Sequence, residues 1–349
     1  MWRLGHPRRW VVGHNTQIIH GRSSRRIDAS WQLLERACSH PRVASHRIHA
    51  KSLRCASTTA MIEFKVNPGH ERCHGRALNF STQVSHKRPS HNSKDSTAKR
   101  ITWNISTLGT NQDWNGILEL VQKEGFQFNP INYAAAMNQL GKIRSLDKSD
   151  DRLAQLLGLV ADSMRDMPFS WTLRTKVQVL HAIAKMRLPI QSERVKTVID
   201  LILNESDNSD NKSANSTFDI ANGNSQEISN TAWACAILEI PYPPMFEAIN
   251  QRAMYLVQEG SSQTIANTAW ACATLGVTCT PFFEAIDANV SKFLDQGAVQ
   301  GISNTIWAFA TLGIKCPRLC HAIGEKASFI VSEGLPQNIA NTAWGLATL

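Results

Sequence analysis

Long apolar runs are missing from this 349-residue chain. None approaches the roughly 18 residues that a membrane-crossing helix needs, so a membrane-spanning protein is excluded. The usual short signatures of catalytic centres are also missing: there is no glycine loop for phosphates, no HExxH pair and no nucleophile elbow. Eight cysteines are present, but the tightest group, Cys316, Cys320 and His321, lacks the four ligands at familiar spacings that zinc requires. Tyrosine is scarce at three residues, against ten tryptophans whose placement proves informative. With 42% apolar residues the chain has enough material for a core, so disorder throughout is excluded.

Acidic residues are scarce at one end. Residues 1–100 carry 19 Lys plus Arg and 5 Asp plus Glu, while 101–349 carry 18 and 23. The formal charge of +9 is thus a +14 segment joined to a −5 segment. Residues 1–100 hold ten of the twelve histidines, show no sustained apolar period, and begin with Arg3, Arg8, Arg9, Arg22, Arg25 and Arg26 among Trp2, Leu4 and Trp10. An Arg-rich, acid-poor start reads as an organellar transit peptide followed by a disordered linker, Lys87–Arg100 included. The Arg richness favours the mitochondrial matrix, with the plastid as the alternative.

The remainder is organised by repetition. QEISNTAWACAILE (226–239), QTIANTAWACATLG (263–276), QGISNTIWAFATLG (300–313) and QNIANTAWGLATL (337–349) align without a gap, placing Trp233, Trp270, Trp307 and Trp344 at intervals of 37. Each segment reads as a helix that is apolar on most sides, hence one sandwiched between neighbours. Pro241, Pro243, Pro244, Pro281 and Pro317 close these helices. A second helix follows, such as Phe282–Leu294, ended by a glycine at Gly260, Gly297 or Gly334 in the left-handed C′ role. The fold class expected is all-α: an αα-hairpin repeat superhelix (α-solenoid) of about 37 residues per repeat. Its expected parts are a basic leader at 1–100, degenerate repeats at 101–203, a polar disordered insertion at 204–225, and four repeats at 226–349, the last truncated. The degenerate units include NYAAAMNQLG (132–141) and VLHAIAKMR (179–187), where Ala135 and His181 take the Trp place. The Trp series is expected in the core, with Trp270→Ala costing about 3–5 kcal/mol. Cys235, Cys272, Cys279 and Cys316 recur at equivalent places and read as packing thiols, and Asp150 with Asp151 reads as a helix N-cap.

The QxIANTAWAxATLG helix, the 37-residue period and the FNPINYAAAMNQLGKI segment resemble the octotricopeptide and heptatricopeptide families of organellar RNA-binding helical repeats. These are similar in turn to FAST-kinase-like and RAP-domain proteins and to a repeat subunit of an RNA-editing complex. The resemblance implies binding of single-stranded organellar RNA in processing, stability, splicing, editing or translation. It also implies partners within a ribonucleoprotein complex, with no cofactor and no catalysis by the repeats themselves. Family members often end in a RAP domain, and this chain stops at Leu349 within a first helix, so a truncated sequence is expected.

Positions that vary between units are the candidates for reading bases: Glu227, Thr264, Gly301 and Asn338 at the start of each first helix. The invariant Asn230, Asn267, Asn304 and Asn341 suit either a buried ladder bonded to the adjacent hairpin's backbone or contact with a repeating ligand backbone. Lys315 and Arg318, in the turn after the third of these helices, are the phosphate candidates. The −5 charge of the array argues against RNA and towards the alternative, an armadillo-like protein-interaction scaffold.

Overall fold

The computed structural model describes residues 93–203, 218–295 and 297–349; the leader expected up to residue 92 and the insert at 204–217 lie outside the described residues. Among the described residues every regular element is helical. In chain order these are α1 (Ser93–Thr110), α2 (Trp114–Glu124), α3 (Pro130–Leu140), α4 (Asp151–Asp166), α5 (Leu173–Met186), α6 (Glu193–Leu203), α7 (Ser225–Leu238) and α8 (Pro243–Gln251). There follow α9 (Ala253–Glu259), α10 (Ser262–Leu275), α11 (Thr280–Ala288), α12 (Val290–Asp295), α13 (Val299–Leu312), α14 (Pro317–Glu325), α15 (Ala327–Glu333) and α16 (Pro336–Thr348). None is long and apolar enough to cross a membrane.

The helices pack in two sets. One runs α1, α3, α5, α7, α10, α13, α16, each member lying against the next. The intervening helices make the other, with α2 on α4, α4 on α6, α8 and α9 on α11, and α11 and α12 on α14. Each first-set helix from α3 to α13 therefore lies between two others of its set. Small residues make this close lateral packing feasible: Ala232, Ala234, Ala269, Ala271, Ala308 and Gly345 are buried in it. Larger groups fill the space between the sets, where Phe283 meets Phe282 and Phe309 edge-on at 5.8 and 4.9 Å.

Local chemistry fixes the helix ends. Asn224 caps α7 by accepting from the Glu227 N–H, and Ser261 does the same for α10 with Thr264. Asp150 caps α4, accepting from the Arg152 N–H. Pro243, Pro281 and Pro317 lie in the first turns of α8, α11 and α14, where the missing N–H is harmless. The first helices end in one repeated motif. The N–H groups of Leu188, Ile240, Val277 and Ile314 reach back to Ile183, Cys235, Cys272 and Phe309 carbonyls at 2.9–3.2 Å. The residue before each donor is left-handed: Gly276 and Gly313 at φ 69°, but Arg187 at 52° and Glu239 at 56°.

Several expectations are corrected. Helix α1 starts at Ser93, so the end of the expected linker is helical and the boundary near 101 falls inside a helix. Residues 218–225 are not a disordered tract: Phe218 and Ile220 are buried, and the segment leads straight into α7. The second helices are bent at Arg252, Asn289 and Lys326, each 37 residues from the last. Gly260 and Gly334 are extended rather than left-handed; glycine is needed there because a Cβ would run into the carbonyls of Leu256 and Ile330. Finally, Trp233, Trp270, Trp307 and Trp344 are half-buried, because the faces that meet other helices are taken by small residues.

Two stability outcomes follow from this packing. Glu239→Gly should raise stability by about 1 kcal/mol by relieving a left-handed side chain, read as a shift in urea midpoint. Phe283→Ala should cost about 3–5 kcal/mol, whereas Trp270→Ala should cost about 1–3 kcal/mol, since its ring is only partly enclosed.

Candidate nucleic-acid interface

A first-set helix covered on three sides leaves one stripe free, and its positions follow a 4, 3, 4 spacing. In α10 the stripe is Gln263, Asn267, Trp270 and Thr274. Its equivalents are Gln226, Asn230, Trp233 and Ile237 in α7, Gln300, Asn304, Trp307 and Thr311 in α13, and Gln337, Asn341, Trp344 and Thr348 in α16. The glutamines are exposed, and the asparagines and tryptophans are half-buried. Trp233, Trp270 and Trp307 rest one side on the core and leave part of the ring to solvent.

The asparagine ladder differs from the backbone-bonded one expected. Among the described residues, no hydrogen bond is recorded for the side chains of Asn230, Asn267, Asn304 or Asn341. The neighbouring threonines do the inward bonding: Thr231, Thr268, Thr305 and Thr342 are buried, and each donates to the carbonyl four residues earlier at 2.8–2.9 Å. Ser229 makes a bond between helices, donating to the Thr264 carbonyl of α10. In the degenerate unit Asn132 does form the expected bond, donating to the Ala98 carbonyl and the Thr102 hydroxyl of α1 at 2.9 and 2.8 Å. The four later amides are left facing solvent, with donor and acceptor both free.

Charge is partitioned between the two helix sets. Helices α10, α13 and α16 contain no charged residue, and α7 contains only Glu227. Residues 218–349 hold 10 Asp plus Glu and 5 Lys plus Arg, and apart from Glu227 all of these lie on second-set helices or turns. The −5 charge therefore does not sit on the stripes.

The positions proposed to read bases all fall at the third residue of their helices. Glu227 accepts from the Asn224 N–H, Asn338 accepts from the Leu335 N–H, and the Thr264 hydroxyl bonds to Ser261. These side chains bond to the backbone at the N-termini of their helices. Gly301 lies in the contact with α10, its Cβ position 3.7 Å from the Ala266 Cβ. Lys315 and Arg318 are exposed in the turn and first residues of α14. The sulfurs of Cys316 and Cys320 lie 3.6 Å apart and those of Cys272 and Cys279 3.7 Å apart, while His321 faces Glu325 on the surface. Burial pushes the Cys235 thiol up to about 12, which keeps it protonated and inert.

Of two further parts of the candidate interface, the sequence reading missed one and saw only the His181 position of the other. Trp103, 68% exposed, heads the series: ITWNISTLG matches TAWACATLG at Trp103, Thr107, Leu108 and Gly109. Extending the alignment one hairpin further would have found it. The other is the stripe of α5, Arg174, Gln178, His181 and Lys185, in which the His181 ring lies 4.9 Å from that of Trp233. Burial, with Lys185 adding repulsion, pulls His181 down to about 4.

No protein-family model matches the sequence, and no curated protein matches it.

The His181 shift has a measurable consequence. Its folded pKa lies below its ordinary 6.5, so between about pH 6.5 and 4 the unfolded chain binds a proton that the folded one refuses. This contribution is complete above 6.5 and is lost as pH falls. Unfolding free energies from urea titrations at about pH 7 and about pH 5 should differ by about 1–2 kcal/mol more in the parent than in His181→Gln.

Proposed function

We propose that residues 93–349 form an αα-hairpin superhelix of 37-residue repeats that binds single-stranded organellar RNA along its first-helix stripes. On this reading it acts in post-transcriptional RNA metabolism in the mitochondrion, the plastid being the alternative, within a ribonucleoprotein complex and without catalysis of its own. The carrying observation is the recurrence, on four successive packed helices, of a half-exposed tryptophan one turn from an amide with no protein partner. An aromatic face accepts any base by stacking, and an amide can both donate and accept, so an identical pair at every step suits a ligand with a repeating chemistry. The resemblance to octotricopeptide and heptatricopeptide repeats supports the same ligand.

A second reading, an armadillo-like grip on an extended peptide, is favoured by one observation: the four stripes carry no cation. Asn and Trp could then hold peptide carbonyls and side chains.

The two are separated by binding of the full chain to a labelled oligouridylate. Trp270→Ala with Trp307→Ala should weaken RNA binding at least about tenfold, since each base stack is worth about 1–3 kcal/mol. Circular dichroism must show that the variant remains folded. Unchanged affinity in a folded variant overturns the RNA assignment and leaves the peptide reading.

A further inference from the structure

The four neutral stripes raise the question of where an anionic backbone would be held. Cations of the first-set helices lie on α1, which carries Lys94, Lys99 and an Arg100 paired with Glu124, and on α5. Its stripe begins with Arg174 and ends with Lys185, and the next-door turn contributes Lys142. That turn is pressed onto α5: a Cβ on Gly141 would lie 3.5 Å from the Ala182 Cα, one helical turn before Lys185. Lys142 and Lys185 are consequently close enough for repulsion, and burial with the charge of Lys142 lowers the Lys185 pKa from its ordinary value. Among the described residues the side chains of these three make no ion pair or hydrogen bond. The C-terminal dipole of α5 accounts for a cation in its last turn. It does not account for a second lysine placed against the first without an acid between them.

We infer that Lys142, Lys185 and Arg174 form a phosphate-holding site for single-stranded RNA where the run of four 37-residue-spaced tryptophans begins, beside the His181–Trp233 ring pair. The inference rests on the RNA reading and adds a division of labour: phosphates are held at α3 and α5, and bases lie along α7, α10, α13 and α16. The ring pair marks the junction between the two. His181 stays neutral near pH 7, so it offers the ligand a ring and not a charge.

The test is a salt titration of full-chain binding to a labelled oligouridylate and to an abasic oligomer of the same length. In Lys142→Gln/Lys185→Gln, the slope of log affinity against log salt should become shallower by about 1.4, at about 0.7 for each lost phosphate contact on a single strand. Affinity should fall for both oligomers. Trp270→Ala/Trp307→Ala should leave the slope unchanged and weaken only the base-bearing oligomer. Lys315→Gln/Arg318→Gln serves as a matched control for removing two cations elsewhere. An unchanged slope in the Lys142/Lys185 variant, or an equal change in the Lys315/Arg318 control, overturns the inference while the RNA reading survives. Loss of the tryptophan dependence overturns the RNA reading itself.

Discussion

Close lateral contact between helices with small residues on their sides is the constraint on which the rest depends. Ala234, Ala271, Ala308 and Gly345 recur at one place in successive units and let the first helices approach. A tryptophan there would force neighbours apart, so the large rings are displaced to the one stripe that no helix covers. The binding candidate is thus a by-product of packing. Only the uncovered row could accept bulk, and bulk is what stacking needs.

The same constraint explains the electrostatics. A helix flanked on two sides and backed on a third has room for an unpaired ion only on its free stripe or at its ends. Apart from Glu227, acidic residues of the later units accordingly lie on the second helices and turns, including Glu247, Glu284, Asp287 and Glu325. Net charge, taken over the whole array, was a poor guide to the face that matters. The array counts as acidic while its candidate face is neutral over four helices and basic at α5.

Much of this was visible in the residues themselves. The 37-residue spacing of Trp233, Trp270, Trp307 and Trp344 located the first helices, and the capping role of Asp150 could be read directly. The direction each side chain faces was harder. Tryptophan is a strong marker of cores, and nothing in QTIANTAWACATLG alone says that the buried row runs through threonine and alanine and not through the ring. Pattern reasoning also could not see that Glu227, Thr264 and Asn338 bond at helix N-termini, because variation between units looks the same whether a position reads a ligand or caps a helix in interchangeable ways. Asn, Ser and Ala stand at the caps of α7, α10 and α13. Trp103 was overlooked because the surrounding helix begins in the basic segment that looked like a linker.

The bends in the second helices bear on how the chain keeps its units in order. The first helices present similar surfaces, with few contacts such as the Ser229–Thr264 bond to tell α10 to lie on α7 in preference to a copy from another molecule. The bend residues differ. Arg252 reaches back to the carbonyls of Ala221 and Gly223, Asn289 lies against Met254, and Lys326 engages the Leu294 carbonyl and the Asp295 carboxylate. One unit earlier, the place of Asp295 is held by Gln258. A hairpin docked one step out of turn would set Lys326 against an amide in place of its carboxylate. The bends therefore act as address labels, distinguishing units whose main contact surfaces would otherwise be exchangeable and discouraging swaps between molecules.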